Sequence, residues 1–105
     1  MATKYQYATG TGAMAVTLAP GVKFRLEAVR LHIDAAVVEV ENFTIKMDAD
    51  EDAVHDTVIL KQAMATLADF VNQPTRPQEF EASDELDFAF TNTDGNTWGL
   101  TIIFS

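Results

Sequence analysis

The chain contains no cysteine. Disulfides, thiolate metal ligands and cysteine nucleophiles are therefore excluded, and the redox compartment is left open. Serine and histidine are scarce: Ser83, Ser105, His32 and His55 are all there are. No nucleophile elbow, phosphate-binding glycine loop or dinucleotide fingerprint occurs among them. Positive charge is also short, with seven Lys and Arg against sixteen Asp and Glu and a formal net charge of −9. Such a surface repels polyphosphate chains and anionic bilayers, so neither nucleic acid nor membrane is expected as a partner. No apolar run approaches the roughly 20 residues of a membrane span. Met1-Ala2-Thr3-Lys4-Tyr5 carries no apolar h-region, so no secretory signal peptide is expected.

What is present is alternation. The 105 residues, 48% of them hydrophobic, suffice for one domain over 1–105 with its own core. Leu86, Phe88 and Phe90 alternate with Asp87, Ala89 and Thr91, and Trp98, Leu100, Ile102 and Phe104 with Gly99, Thr101 and Ile103. Between them Asn92-Thr93-Asp94-Gly95 reads as a type I turn with a bulged glycine. The expectation is an antiparallel hairpin in which Phe90 faces Trp98, Phe88 faces Leu100 and Leu86 faces Ile102. That register puts every large side chain on one face.

Earlier in the chain, Met14, Val16 and Leu18 alternate up to a Pro20-Gly21 turn. Val22, Phe24 and Leu26 alternate next, and then Val29, Leu31 and Ile33 run one residue out of step. A bulge near Glu27-Ala28 would keep both halves facing the core. A strand is expected over Ala36 to Met47, with Phe43, Ile45 and Met47 in phase, and another from Asp56. Residues 61–72 fit either a short amphipathic helix on Met64, Leu67, Ala68 and Val71, or a strand ending near Met64 and a second from Asp69 to Gln73. Strands are favoured. Pro74 and Pro77 mark a loop, and Ser83-Asp84-Glu85 a tight turn. Eight or nine short strands at this spacing predict an all-β fold, a two-sheet antiparallel β-sandwich of jelly-roll type.

Ahead of the first core strand, residues 1–12 are polar, small and Gly-punctuated. They are read as an N-terminal docking arm whose Tyr5 and Tyr7 bind a protein partner, since exposed tyrosines favour interfaces. Other candidates are weighed and set aside. Asp48, Asp50 and Asp52 have the opening spacing of a calcium loop, and Asp56 could join a looser site. However, the glycine position is Ala53 and the twelfth position is Ile59, so no required metal or other cofactor is expected. His32 falls opposite Leu31 and Ile33 and reads as a solvent-side or cross-strand histidine. Trp98, in phase with Leu100 and Ile102, reads as core before it reads as a sugar-stacking platform. Asp84, Glu85 and Asp87 are neighbours in a turn and do not form the cleft that a pair of hydrolytic carboxylates needs. The chain is expected not to be an enzyme.

The stretch from Val22 to Phe104 resembles small jelly-roll virion proteins of tailed bacteriophages. The resemblance is carried by Leu26-Glu27-Ala28-Val29-Arg30-Leu31-His32, Asn42-Phe43-Thr44-Ile45-Lys46-Met47-Asp48 and His55-Asp56-Thr57-Val58-Ile59-Leu60. It continues in Ser83-Asp84-Glu85-Leu86-Asp87-Phe88 and in Asn92-Thr93-Asp94-Gly95-Asn96-Thr97-Trp98-Gly99-Leu100. The resemblance implies a virion location and a non-enzymatic role as a capsid decoration or cement protein on an assembled shell. A symmetric homo-oligomer, such as a trimer, is the expected form. The alternative is a carbohydrate- or receptor-binding module of a tail or fibre.

Overall fold

A computed structural model describes residues 2–49 and 53–105. The strands are β1 (Lys4–Gly10), β2 (Met14–Leu18), β3 (Phe24–Ile33), β4 (Asn42–Asp48), β5 (Thr57–Ala63), β6 (Asp69–Asn72), β7 (Gln78–Phe80), β8 (Glu85–Phe90) and β9 (Trp98–Phe104). One sheet runs β1-β9-β3-β6, with β7 beside β6 on the same edge of β3; the other runs β2-β8-β4-β5. All strand pairs are antiparallel. With β7 set aside as a short addition, successive strands alternate between sheets everywhere except at the β4–β5 hairpin, in the order that defines a jelly roll. The all-β sandwich read from the sequence is the fold.

The inward faces meet in one core. Phe24, Leu31 and Ile33 of β3 and Leu100 and Ile102 of β9 oppose Phe43 and Ile45 of β4 and Leu86, Phe88 and Phe90 of β8, all nearly inaccessible to solvent. Phe43 and Phe88 stack at 6.5 Å, and Phe43 meets Phe70 edge-on at 6.1 Å, both favourable ring geometries. The parity change in β3 is a bulge: the β3–β9 register shifts between Leu26 and Ala28, where one was expected. The 61–72 ambiguity resolves as strands, with β5 ending at Ala63 and β6 starting at Asp69.

Three expectations are corrected. The closing hairpin does not exist, because β8 pairs with β2 and β4 while β9 pairs with β1 and β3. The turn is real, with Gly95 N–H donating to Asn92 O at 3.0 Å and both residues at positive φ, but it carries the chain from one sheet to the other. The large side chains of β8 and β9 thus share a core by facing each other across the sandwich. Second, residues 36–41 are not strand. Val37 alone is buried, held by an isolated bridge to Ala65, and Val38 and Val40 are exposed. Val22, expected inward, is likewise exposed in the turn before β3.

Third, the N-terminal residues do not lie outside the sheet. Lys4–Gly10 pairs with Phe104–Trp98 without interruption as an edge strand. The inward positions of β1 are Lys4, Gln6, Ala8 and Gly10, which carry little apolar mass. The strand is held by backbone bonds and by small residues that fit over β9. A Cβ on Gly10 would lie 3.0 Å from Trp98 Cζ2, so glycine is what lets β1 pass over the indole.

Candidate docking surface

Because Gln6 and Ala8 face inward, Tyr5 and Tyr7 face out. They are 53% and 71% exposed, the two exposed aromatic side chains among the described residues. Their rings stack at 6.2 Å with planes 6° apart. The pairing register fixes what lies beside them. Tyr5 is followed across the sheet by Ile103 and Ala28; Tyr7 by Thr101, Arg30 and Val71; Thr9 by Gly99, His32 and Asp69. Ile103 and Ala28 are buried even though they lie on this outer face. They help line a concavity of about 480 Å³ shared with Tyr5, Glu27, Arg30, Gln73 and the Pro74–Pro77 loop.

Charge is distributed unevenly. Residues 1–26 contain Lys4, Lys23 and Arg25 but no Asp or Glu, so all sixteen acidic residues lie beyond them. Lys23 and Arg25 are matched to Glu81 and Glu79 at 3.9 and 3.6 Å. On the outer face of the β1-β9-β3-β6 sheet, His32 Nδ1 and Asp69 Oδ1 form a cross-strand pair, whereas Arg30 has no ion-pair partner among the described residues. The pairs are solvent-exposed and add little to stability.

The remaining sequence candidates fall elsewhere. Trp98 is 5% exposed and donates its indole N–H to Gly12 O at 2.9 Å, so it is core, as expected, and offers no stacking platform. Asp56 Oδ1 accepts from Ala49 N–H at 2.8 Å. Asp50 and Asp52 lie outside the described residues. Among the described residues, no three His, Cys, Asp or Glu side chains converge as a metal site would require. Asp84 folds back onto Glu81 N–H at 2.9 Å and stabilises the turn ahead of β8.

Sequence reasoning missed Asn92. Its side chain is buried, and its amide nitrogen donates to Thr11 O, Gly12 O and Asn96 O at 2.9–3.0 Å. One side chain thereby ties the β1–β2 loop to the β8–β9 loop. The same Gly12 carbonyl receives the Trp98 indole. This joint holds β1 in place at the end where its inward side chains are smallest.

Fold and surface together define a jelly-roll domain with an aromatic outer face at one sheet edge. No protein-family model matches the chain, and comparison with curated proteins finds no match.

Proposed function

We propose that this chain is a non-enzymatic structural protein of a tailed-phage virion, a decoration or cement protein that binds the assembled capsid shell. The observation that carries the reading is the stacked Tyr5–Tyr7 pair, exposed on a sandwich whose other described Phe and Trp side chains are buried or half-buried. Tyrosines supply large contact area at low conformational cost and concentrate binding energy at interfaces. Arg30, beside Tyr7 and Thr101 and without an ion-pair partner among the described residues, adds a second anchor of the kind such interfaces favour. The acidic remainder of the surface keeps the chain soluble and discourages adhesion elsewhere.

The test is co-sedimentation with assembled capsid shells stripped of accessory proteins. The chain should pellet with shells and saturate at a fixed number of copies per lattice position. Joint Tyr5→Ala and Tyr7→Ala substitution should weaken binding at least tenfold while leaving the melting temperature nearly unchanged. Absence of binding to any shell or virion fraction would overturn the reading. A second reading, glycan binding by a tail or fibre module, is favoured by one observation. The concavity beside Tyr5 offers a ring wall together with Gln73, Thr3, Thr75 and Arg30, and planar polar groups next to an aromatic suit a sugar. A glycan array bound by the chain, with signal lost in Gln73→Ala, would select it.

A further inference from the structure

The open edge of β1 differs from the other sheet edges. Natural sandwiches blunt their edges with short strands, proline, lysine or bulges, because unpaired backbone groups recruit further strands. Three edges here carry such devices. The edge beside β3 is divided between the short β6 and β7, with Pro74 and Pro77 between them. On β2, Thr17 O already accepts the Gln6 side-chain amide at 3.1 Å. On β5 the register shifts opposite Ile45 and Lys46, and Lys61 stands on the strand. β1 has seven residues, no proline and no bulge, and its one charge, Lys4, is at its start.

The hydrogen-bond parity tells which groups face outward. Ser105 exchanges both backbone bonds with Arg25, and Thr97 O accepts from Asp34 N–H. The odd-numbered residues of β9 therefore bond toward β3 and the even-numbered ones toward β1. Their β1 partners are Lys4, Gln6, Ala8 and Gly10. It follows that the N–H and C=O groups of Tyr5, Tyr7 and Thr9 point out of the sheet edge.

We propose that β1 pairs with β1 of a second copy, antiparallel about a two-fold axis through Tyr7. In this register Tyr7 exchanges bonds with its own mate and Tyr5 does so with the mate's Thr9, so every outward group on the strand is paired. Lys4 falls opposite Gly10 and meets no like charge. Acidic copies that repel one another elsewhere meet through the part of the chain with no Asp or Glu. Residues directly opposite in an antiparallel pair share a face. The tyrosines of the two copies thus join into one four-ring patch, with the two sheets continuous beneath it. A single strand pair buries less surface than stable dimers need, so the dimer is weak in solution. It gains strength where copies are held side by side.

The pairing is independent of the shell reading, and the test separates them. Sedimentation velocity of the full chain without shells should show a concentration-dependent monomer–dimer shift, and Tyr7→Lys, which sets like charges face to face on the axis, should abolish it. A chain that stays monomeric up to about 1 mM, the upper end of meaningful weak affinity, overturns the pairing even if it binds shells. The cysteine-free background gives a register-specific check. Directly opposed bonded residues have Cα atoms about 5.5 Å apart, within disulfide reach. Mild oxidation of Tyr7→Cys should yield covalent dimer at least tenfold faster than Tyr5→Cys, whose two copies lie roughly 14 Å apart along the strands. Equal rates overturn the register. Backbone amides of Tyr5, Tyr7 and Thr9 that gain exchange protection only with shells would indicate a strand donated by the shell, and would overturn self-pairing.

Discussion

Replacing Asn92 should be the most damaging single change to a polar side chain in the loops. Its amide has two N–H groups and meets three carbonyl oxygens at 2.9–3.0 Å in a site 5% exposed. Each buried bond nets about 0.5–1.5 kcal/mol, so losing both donors removes about 1–3 kcal/mol. The residue also sits at φ 54°, a left-handed conformation that costs an alanine about 1–2 kcal/mol and a glycine almost nothing. Asn92→Ala should therefore lose about 2–5 kcal/mol, and Asn92→Gly about 1–3 kcal/mol, by the same bond and backbone values. At roughly 4–8 °C per kcal/mol for a domain of this size, the alanine variant should melt about 8–40 °C lower. Urea unfolding followed by Trp98 fluorescence measures both variants against the parent. Asn92→Asp keeps the shape but turns a carboxylate toward three carbonyls. That raises the carboxyl pKa in the folded state, so its penalty is full at neutral pH and should shrink as pH falls through the folded value toward the ordinary carboxylate range. Asn92→Ala within about 0.5 kcal/mol of the parent, the scatter of a neutral surface change, would show that the joint between the two loops contributes nothing. Glycine no better than alanine would show that backbone conformation is not part of the cost.

Trp98→Ala should lose about 3–5 kcal/mol, as truncated buried aromatics do, and the parent's emission should be blue-shifted and poorly quenched by iodide. Removing residues 1–10 strips β1 from β9 and uncovers the Trp98 indole. Calorimetry should show a large loss of stability, where a detached arm would show none. The melting temperature should not respond to a calcium chelator. A drop on chelation that calcium reverses and Asp50→Ala abolishes would make the acidic loop an ion site.

The faces of the strands were legible and their neighbours were not. Alternation in Leu86–Phe90 and Trp98–Phe104 marks which side chains face the core, and it fails only at the end of β9, where Ile103 on the outer face is buried and Phe104 is half-buried. It cannot tell a partner across the core from a partner along the sheet, because both arrangements hide the same residues. The bulge at Glu27-Ala28 was readable because a parity change inside one apolar stretch has few other solutions. Val38 and Val40 misled because β-branched residues raise strand propensity whether or not a partner strand is present. β1 looked unlike core because its inward positions are Lys4, Gln6, Ala8 and Gly10, yet backbone pairing makes no demand on side-chain hydrophobicity. Tyr5 and Tyr7 were placed at the surface from sequence. The unpaired edge beside them needed the register. Asn92 had no signal at all, since an asparagine close to a turn glycine is ordinary and two of its three acceptors lie some eighty positions away.

The strand order also sets a timetable for synthesis. β8 lies between β2 and β4, and β9 between β1 and β3. The strands that join each sheet together are thus the two made last. Until residues beyond Glu85 leave the ribosome, β1 has no β9 and β2 has no β8. β4–β5 is the one strand pair that neighbours in sequence can form early. Native pairing must then close loops of great length almost at once, which makes folding slow and leaves unpaired apolar strands exposed meanwhile. Chains stalled or cleaved before Trp98 should be recovered as aggregation-prone fragments.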